Sequence, residues 1–548
     1  MKIGIYMAYG PNTVLGKEGL GRYIGNLIKG FVNAGHQVTI ACPKWSLETI
    51  DDLFQDFHIN TEQIEFVVSY KTPALWRLYE EKYKKKHPKS TLKDKVFSKV
   101  TDIVENFFNQ IFSISSMVLF IAMVIVLALA GLAVGIMLLP VMILGLLALV
   151  AYKILKKLSH KGEFFIRQKM AYWISILQTY SKNKWTDWHM TLIEKRDTLV
   201  GKSLVEKVNH VGKQQDVWFV PALFWPEVVE LKGRKVICAP DIVTIEFPML
   251  FSQMRMVPST KRCQKVLEKE TYFITYCEYI RNSLLIDRYG KKEDHVISIP
   301  HINNAMNTYL EIDVDKKKLN TKKDLTTAFA KAVIRVAKYH YRVSPADYMN
   351  TFCTDGMKYI FYSSQARSHK NILTLVKAYE HLLRHKYAKI KLVLTGDYSL
   401  PYFEEIYTYV MEHRLQYDIL CLYNVTAQEL AALYKCAELV VNPTFYEGGF
   451  PFTFGEGMSV GTPSIMSDIP QVREVVEQYG LAEEMLFDPY DYRDMADKIE
   501  HGLQHKAELY QKQLPLYRVM EKRTADVVAR EYIAAFETFI GLEEGHCD

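Results

Sequence analysis

The sequence predicts an α/β chain built as two Rossmann-like doubly wound domains facing a cleft, plus an inserted helical membrane hairpin. Three observations lead there. Short apolar runs alternate with helical stretches in two separate series, the pattern of parallel sheets covered by helices. The run 117–152 carries no charged side chain. The chain also has 548 residues, more than one core ordinarily organises.

The first series contains strands at 3–7, 37–41, 217–220, 236–238, 273–276 and 296–299, with a helix at 23–34 closed by Gly35. It defines an N-terminal domain at 1–70 and 213–300. The opening run is too short for the apolar region of a signal peptide and enters a glycine-rich loop, so it reads as a first strand with a cytosolic N-terminus. The second series runs through 359–362, 390–395, 419–423, 439–442 and 464–466 and defines a C-terminal domain at 301–520. A lysine-rich stretch at 313–324 and a helix-like one at 325–341 lie between the series as linker and decoration. Residues 521–548 read as a C-terminal helix that packs back on the N-terminal domain.

The segment 71–212 separates the halves of the first domain. As one helix, 117–152 would greatly overrun a hydrocarbon core of about 30 Å at about 1.5 Å per residue. Gly131, Gly135 and Pro140 lie near its middle, where a reversal needs permissive or helix-breaking residues. The reading is therefore two spans, 114–130 and 136–152. Lysines crowd both flanks, from Lys82 to Lys99 before the run and from Lys153 to Lys161 after it, and each flank prefers the cytoplasmic face. A hairpin satisfies both; one long tilted helix or a shallow re-entrant pair is the alternative. Stretches 97–112 and 164–176 place aromatic and aliphatic residues at near-helical spacing, either along lipid headgroups or against the folded domains. The expected location is the inner or plasma membrane, multi-pass, with the folded domains in the cytoplasm.

Lysine and arginine number 68 against 62 acidic residues, a net charge of +6 concentrated in 71–99. That local cluster suits an anionic surface and argues against nucleic acid as a partner. The eight cysteines form no CxxC pair, so they read as buried thiols in a reducing compartment, and no metal is expected.

Three motifs carry chemistry. The loop 16–22, with Gly16, Gly19 and Gly21, follows the first strand and opens a helix, a place for an anion or for a plain turn. After the first strand of the second domain, Arg367 and Lys370 lie three apart on a loop. They can converge on one diphosphate, or stand as two solvated cations. The third motif, 443–463, follows the strand 439–442 and holds Glu447, Gly448, Gly449, Phe450, Phe452, Thr453 and Glu456. Its glycines let a backbone loop approach a ligand, and its carboxylates suit sugar hydroxyls. A helix is expected from about Glu456 to Gly461, which leaves a mere capping role open for that carboxylate.

This third segment resembles the donor-site signature of retaining GT-B glycosyltransferases of the GT4 type, and Arg367 with Lys370 in SQARSHKN resembles that family's phosphate-binding pair. The runs GLGRY, GHQV, LTGD, NVTAQELAALYKCAELVVNPT and GTPSIMSDIPQVREV match in order. The resemblance covers 1–70 and about 215–540 and is more specific in the C-terminal part. It implies a GT-B fold and a hexosyltransferase using a nucleotide-sugar donor of UDP or GDP type, without a metal cofactor. It also implies site residues. Glu456 would bind the donor ribose and Glu447 would lie near the anomeric carbon. Gly448, Gly449, Phe450, Phe452 and Thr453 would line the sugar and phosphate, and Asn424, in 423–425, the base. Gly19 and Gly21 would complete the donor site. Glu447 and Glu456 are separated by one residue more than is usual in the family. Asp241, in APDIVTIEFP, stands where the family often has a His-Asp pair near the acceptor, and His301 in IPHINN resembles a structural position. With the hairpin, these features imply a lipid-linked glycan or glycolipid acceptor. A catalytically weak nucleotide-sugar-binding scaffold subunit is the other reading.

Overall fold

A computed structural model of the chain describes residues 1–11, 13–17, 19–69, 121, 193–211, 215–240, 242–250, 257–311, 325–332, 358–396, 404–422 and 425–544. The hairpin expected at 114–152 and its flanking helices at 97–112 and 164–176 lie outside these residues, Ile121 excepted. Among the described residues no helix is long and apolar enough to cross a membrane.

The first sheet is wholly parallel. Its strands are β1 (Lys2–Tyr6), β2 (Gln37–Pro43), β3 (Ile64–Ser69), β4 (Val217–Val220), β5 (Lys235–Cys238), β6 (Tyr272–Thr275) and β7 (Val296–Ser298), in the spatial order β3-β2-β1-β4-β5-β6-β7. Strand β4 is buried at every position, as a strand covered on both faces must be. Helix α1 (Gly19–Asn33) and helix α2 (Ser46–Phe57) follow β1 and β2. Helix α1 starts in the glycine motif itself, four residues before the helix that apolar spacing predicts. Gly21 sits in its first turn, where an added Cβ would stand 2.2 Å from the Leu15 carbonyl oxygen. Glycine therefore lets α1 pack tightly on the preceding turn.

Residues 193–211, expected within the insertion, form helix α3 of this domain. Leu204, Val205 and Val208 enter its core, and the Gly201 carbonyl accepts from the Tyr6 hydroxyl at 3.2 Å.

The second sheet comprises β8 (Tyr359–Tyr362), β9 (Lys391–Thr395), β10 (Ile419–Leu422), β11 (Leu439–Asn442), β12 (Ser464–Ser467) and β13 (Leu486–Phe487). It is also parallel, ordered β10-β9-β8-β11-β12-β13. Its helices include α4 (Ile372–His385), α5 (Ala427–Cys436), α6 (Phe452–Ser459) and α7 (Pro470–Val476). Helix α5 opens on a capping box, in which Thr426 accepts from the Glu429 amide while the Glu429 carboxylate accepts from the Thr426 amide.

The winding of each sheet reverses beside its first strand, between β1 and β4 and between β8 and β11. Loops leaving the carboxyl ends of such a pair diverge and open a crevice, the place where open α/β sheets bind ligands. In the second sheet those loops are 363–371 after β8 and 443–451 after β11, the two C-terminal motifs.

The last helix, α8 (Ala525–Glu544), packs on the first sheet's domain. Val528, Tyr532, Phe536 and Phe539 bury against Ile24, Leu27, Ile28 and Phe31 of α1, and Tyr532 meets Phe219 edge to face at 5.4 Å. Each such side chain contributes about 1.5–3 kcal/mol by burial, so α8 clasps the two halves of the chain together.

Candidate functional site

The loop after β8 is built around a short 3-10 turn, Ser368–Lys370, entered by an extended Arg367 and left through Asn371 at φ 54°. Asparagine tolerates this left-handed conformation better than most residues, and here its side chain has a second use. Nδ2 donates to the carbonyls of Pro443 at 2.9 Å and Pro489 at 2.8 Å. The His369 carbonyl accepts from the Phe445 amide at 2.8 Å and the Thr444 hydroxyl at 3.2 Å. The two motif loops are thus laced into one unit. His369 is buried beneath it; burial, with Lys370 and Arg367 nearby, holds its pKa well below the usual histidine value, so the ring is neutral.

This lacing brings Lys370 onto Glu447. Nζ and Oε1 are 2.6 Å apart and both side chains are 18% exposed, a pair reachable from the cleft yet largely shielded from water. Arg367 is exposed one turn away. The extra residue between the two glutamates therefore does not carry Glu447 away from Lys370.

Glu456 is placed differently from the sequence expectation. Helix α6 begins at Phe452, with Pro451 as its cap residue, so Glu456 lies inside the helix and caps nothing. Proline at the boundary sets the start that the motif's glycines obscured. The carboxylate is buried and accepts from the Tyr434 hydroxyl at 2.6 Å and from the Asn304 amide. Burial pushes its pKa up, while Tyr434, Arg22 and Asn304 pull it back down.

Between the glutamates, the loop presses on the first domain. A Cβ added to Gly448 would stand 2.0 Å from the Pro240 carbonyl oxygen, and one on Gly449 would stand 2.8 Å from the Tyr276 Cβ. Only glycine fits at the first of these contacts without the domains moving apart. The Ile242 amide donates to the Tyr446 hydroxyl at 3.2 Å, and the Glu474 carboxylate of α7 accepts from the amides of Glu278 and Tyr279 at 3.1 and 2.8 Å. The two domains meet face to face across this loop.

The linker between the domains opens after β7 with residues 299–311, and this stretch, ahead of the lysine-rich 313–324 that lies outside the described residues, runs along α6. His301, buried, lies with Nε2 against the Phe450 carbonyl and Nδ1 against that of Ile302, and its ring lies against Phe452 with centroids 3.9 Å apart and planes tilted by 31°. Thr453 is buried and accepts from the Asn442 amide at 3.0 Å. Of the residues singled out in the sequence, Arg367, Lys370, Glu447, Gly448, Gly449, Phe450, Phe452, Thr453 and Glu456 gather at this crevice. Gly19 and Gly21 belong to the first turn of α1, across the cleft. Asp241 and Asn424 lie outside the described residues. Asn371, Tyr434 and Asn304 carry no signal of their own in the sequence, because their partners are distant in it, 152 and 282 residues away for Asn304.

With this geometry in hand, comparisons place the chain among known proteins. Residues 352–514 match the family described as glycosyl transferases group 1. The O-antigen chain mannosyltransferase B of Escherichia coli is 31% identical over 148 residues, 27% of this chain and 37% of that protein; the match thus spans well under half of the curated relative. Among solved structures, a sucrose-phosphate synthase from Thermosynechococcus elongatus is similar with a TM-score of 0.56, at 13% identity over 99% of both chains. Anabaena HepE, solved with UDP and glucose, gives 0.51 at 10% identity over 97% of this chain and 98% of its own. At such identities the likeness is one of fold, the two-domain GT-B arrangement. The family match and this fold together support a glycosyltransferase enzyme.

Proposed function

We propose that the chain transfers a hexose from a nucleoside diphosphate sugar to an acceptor, with retention of anomeric configuration. The observation that carries the reading is the convergence of Lys370, Glu447 and Glu456, with Arg367 beside them, on the crevice of the second sheet. It lies within the segment that matches the glycosyl transferases group 1 family. A diphosphate entering between the motif loops takes Lys370 and Arg367 as its counter-charges, and the ribose hydroxyls donate to Glu456. The sugar lies against Glu447 and the glycines that follow it. Mannosyltransferase similarity and the UDP-bound fold relative support a donor of UDP or GDP type, without selecting the base.

In the proposed step the bond between C1 and the diphosphate oxygen breaks, and the acceptor oxygen bonds to C1 on the face that the diphosphate leaves. The acceptor's proton passes to a leaving phosphate oxygen. Negative charge grows on the diphosphate as the bond lengthens, and cations fixed in place stabilise it more in the transition state than in the ground state. Glu447 stabilises the positive charge that develops at C1, and side-chain cations take the role a metal has elsewhere. Asp241 contacts the acceptor from the first domain. The acceptor we propose is a lipid-linked glycan or glycolipid at the cytoplasmic leaflet; the uncharged run 117–152 between lysine-rich flanks supports it.

The test is a panel of UDP- and GDP-sugars offered to the full chain in detergent, with membrane extract as acceptor. Products are read by mass spectrometry and the new linkage by NMR. Acceptor-dependent release of one nucleotide, with the donor's anomeric configuration kept, is the expected result. No transfer from any donor would overturn the reading, and an inverted linkage would overturn retention.

A further inference from the structure

Four residues from three parts of the chain form a continuous polar relay into the buried end of the donor crevice. Tyr434 of α5 donates to one oxygen of Glu456 at 2.6 Å, and the Asn304 amide nitrogen donates to the other. On its far side the Asn304 oxygen accepts from the Arg22 guanidinium at 3.3 Å, which also reaches the Tyr309 hydroxyl at 3.4 Å. Arg22 belongs to α1 in the first domain, Glu456 to α6 in the second, and Asn304 to the linker between them.

The chemistry fixes the Asn304 amide in one orientation. Its nitrogen is a donor facing a carboxylate, and its oxygen an acceptor facing a guanidinium. A flipped amide would set oxygen against oxygen and NH2 against a cation. The Glu456 carboxylate is in turn held by donors on both oxygens while it stays buried, so its remaining lone pairs point in set directions. The linker cannot shift far without losing this arrangement. It is pinned on α6 by the Met306 amide donating to the Ser459 hydroxyl at 2.8 Å, and on the C-terminal segment by the Asn303 amide donating to the Arg523 carbonyl at 3.1 Å.

We infer that Arg22 and Asn304 are positioning residues that aim the Glu456 carboxylate at the donor ribose, so that ribose capture is strongest when the two domains are closed on each other. The inference rests on the reading of Glu456 as the ribose ligand. Arg22 is the only member of the relay from the first domain, and a departing domain takes it away. Asn304 then loses the group that orients its oxygen, and Glu456 loses a neighbouring positive charge as well as a fixed donor. A nucleotide already bound through Glu456 favours closure by the same coupling, since linkage between two equilibria is reciprocal.

The experiment measures calorimetric affinities of the full chain for UDP and GDP, each against its 2′,3′-dideoxy counterpart. The ratio isolates what the ribose hydroxyls contribute. For the better-bound base, wild type is expected to prefer the ribonucleotide by about 10- to 100-fold, the range of one or two hydrogen bonds to a charged group. In N304A and R22M the ratio falls to within about threefold while dideoxynucleotide affinity stays at the wild-type value, which also shows that each variant is folded. R22K recovers part of the ratio, and R22M/N304A loses no more than either single change, as members of one relay should. If N304A and R22M keep the wild-type ratio while E456Q loses it, the positioning role is wrong and the ribose reading stands. If both nucleotides weaken equally in N304A and R22M, the relay is structural and the inference falls. If E456Q itself keeps the ratio, or neither nucleotide binds, the ribose reading fails and the inference with it.

Discussion

The two sides of the cleft are built on the same parallel-sheet plan but use it differently. In the second domain both loops at the winding reversal carry charged motif residues, and they are laced together by Asn371 and the His369 carbonyl. In the first domain the loop after β1 runs into Gly21, which serves the packing of α1, and the loop after β5 offers the Pro240 carbonyl and the Ile242 amide to the opposite loop. One side presents charge to a ligand, while the other presents backbone to its partner domain. Under the proposed function, donor chemistry is concentrated in one domain and the other contributes through closure.

The largest expected effect tests the charged side. K370M or E456A should reduce hexose transfer by about 10²–10³-fold, the usual cost of removing a group that stabilises developing charge or holds the donor. Steady-state kinetics with the donor found in the panel checks it, and near-normal turnover in both variants would remove the charged side from the account.

Next comes the packing side. G448A places a methyl group where the Pro240 oxygen lies 2.0 Å away, so the domains must separate to admit it. Transfer should fall by about 10–100-fold, as a small misplacement of reacting groups costs, with dideoxynucleotide affinity nearly unchanged. An equal loss in both would mean that the glycine serves the donor directly.

F536A tests the clasp that joins the end of the chain to the first sheet. Phe536 is fully buried between Phe31 and Phe219, and its truncation should cost about 3–5 kcal/mol, read as a lower urea midpoint. Loss of less than 1 kcal/mol would show that α8 is not integral to that core.

The smallest effect is on pH. Burial raises the pKa of Glu456, and the ionised form is the acceptor of ribose hydroxyls. Nucleotide affinity should then be full above the raised pKa and fall as pH drops through it, with an acid limb above the ordinary glutamate range. Arg22 pulls that pKa down, so R22M should move the limb to higher pH. A limb that stays in place would argue against the pairing across the cleft.

Much of the fold could be read from apolar runs. Strands β4, β8 and β11 have the bounds their sequences predict, since each is a fully buried four-residue run between polar breaks. Strand β3 escaped because Glu65 interrupts its apolar run near the start, and β13 because two residues carry no period. Helix α6 was misplaced because Phe452, Thr453 and Phe454 are poor helix formers by composition, and only Pro451 marks the boundary. At the site, the family resemblance groups Lys370 with Glu447, where spacing alone leaves Lys370 open as a solvated cation, and the fold puts the two side chains 2.6 Å apart. Asn304 was not legible, because its importance comes from two partners that the fold brings to it from opposite domains.

The most direct test of the central claim, that the C-terminal crevice is a nucleoside diphosphate site organised around Lys370, is calorimetric titration of UDP and GDP into wild type and K370M. One nucleotide should bind wild type, and K370M should bind it at least about tenfold more weakly, as loss of a charge-assisted contact to phosphate requires. Unchanged affinity in K370M would contradict the account.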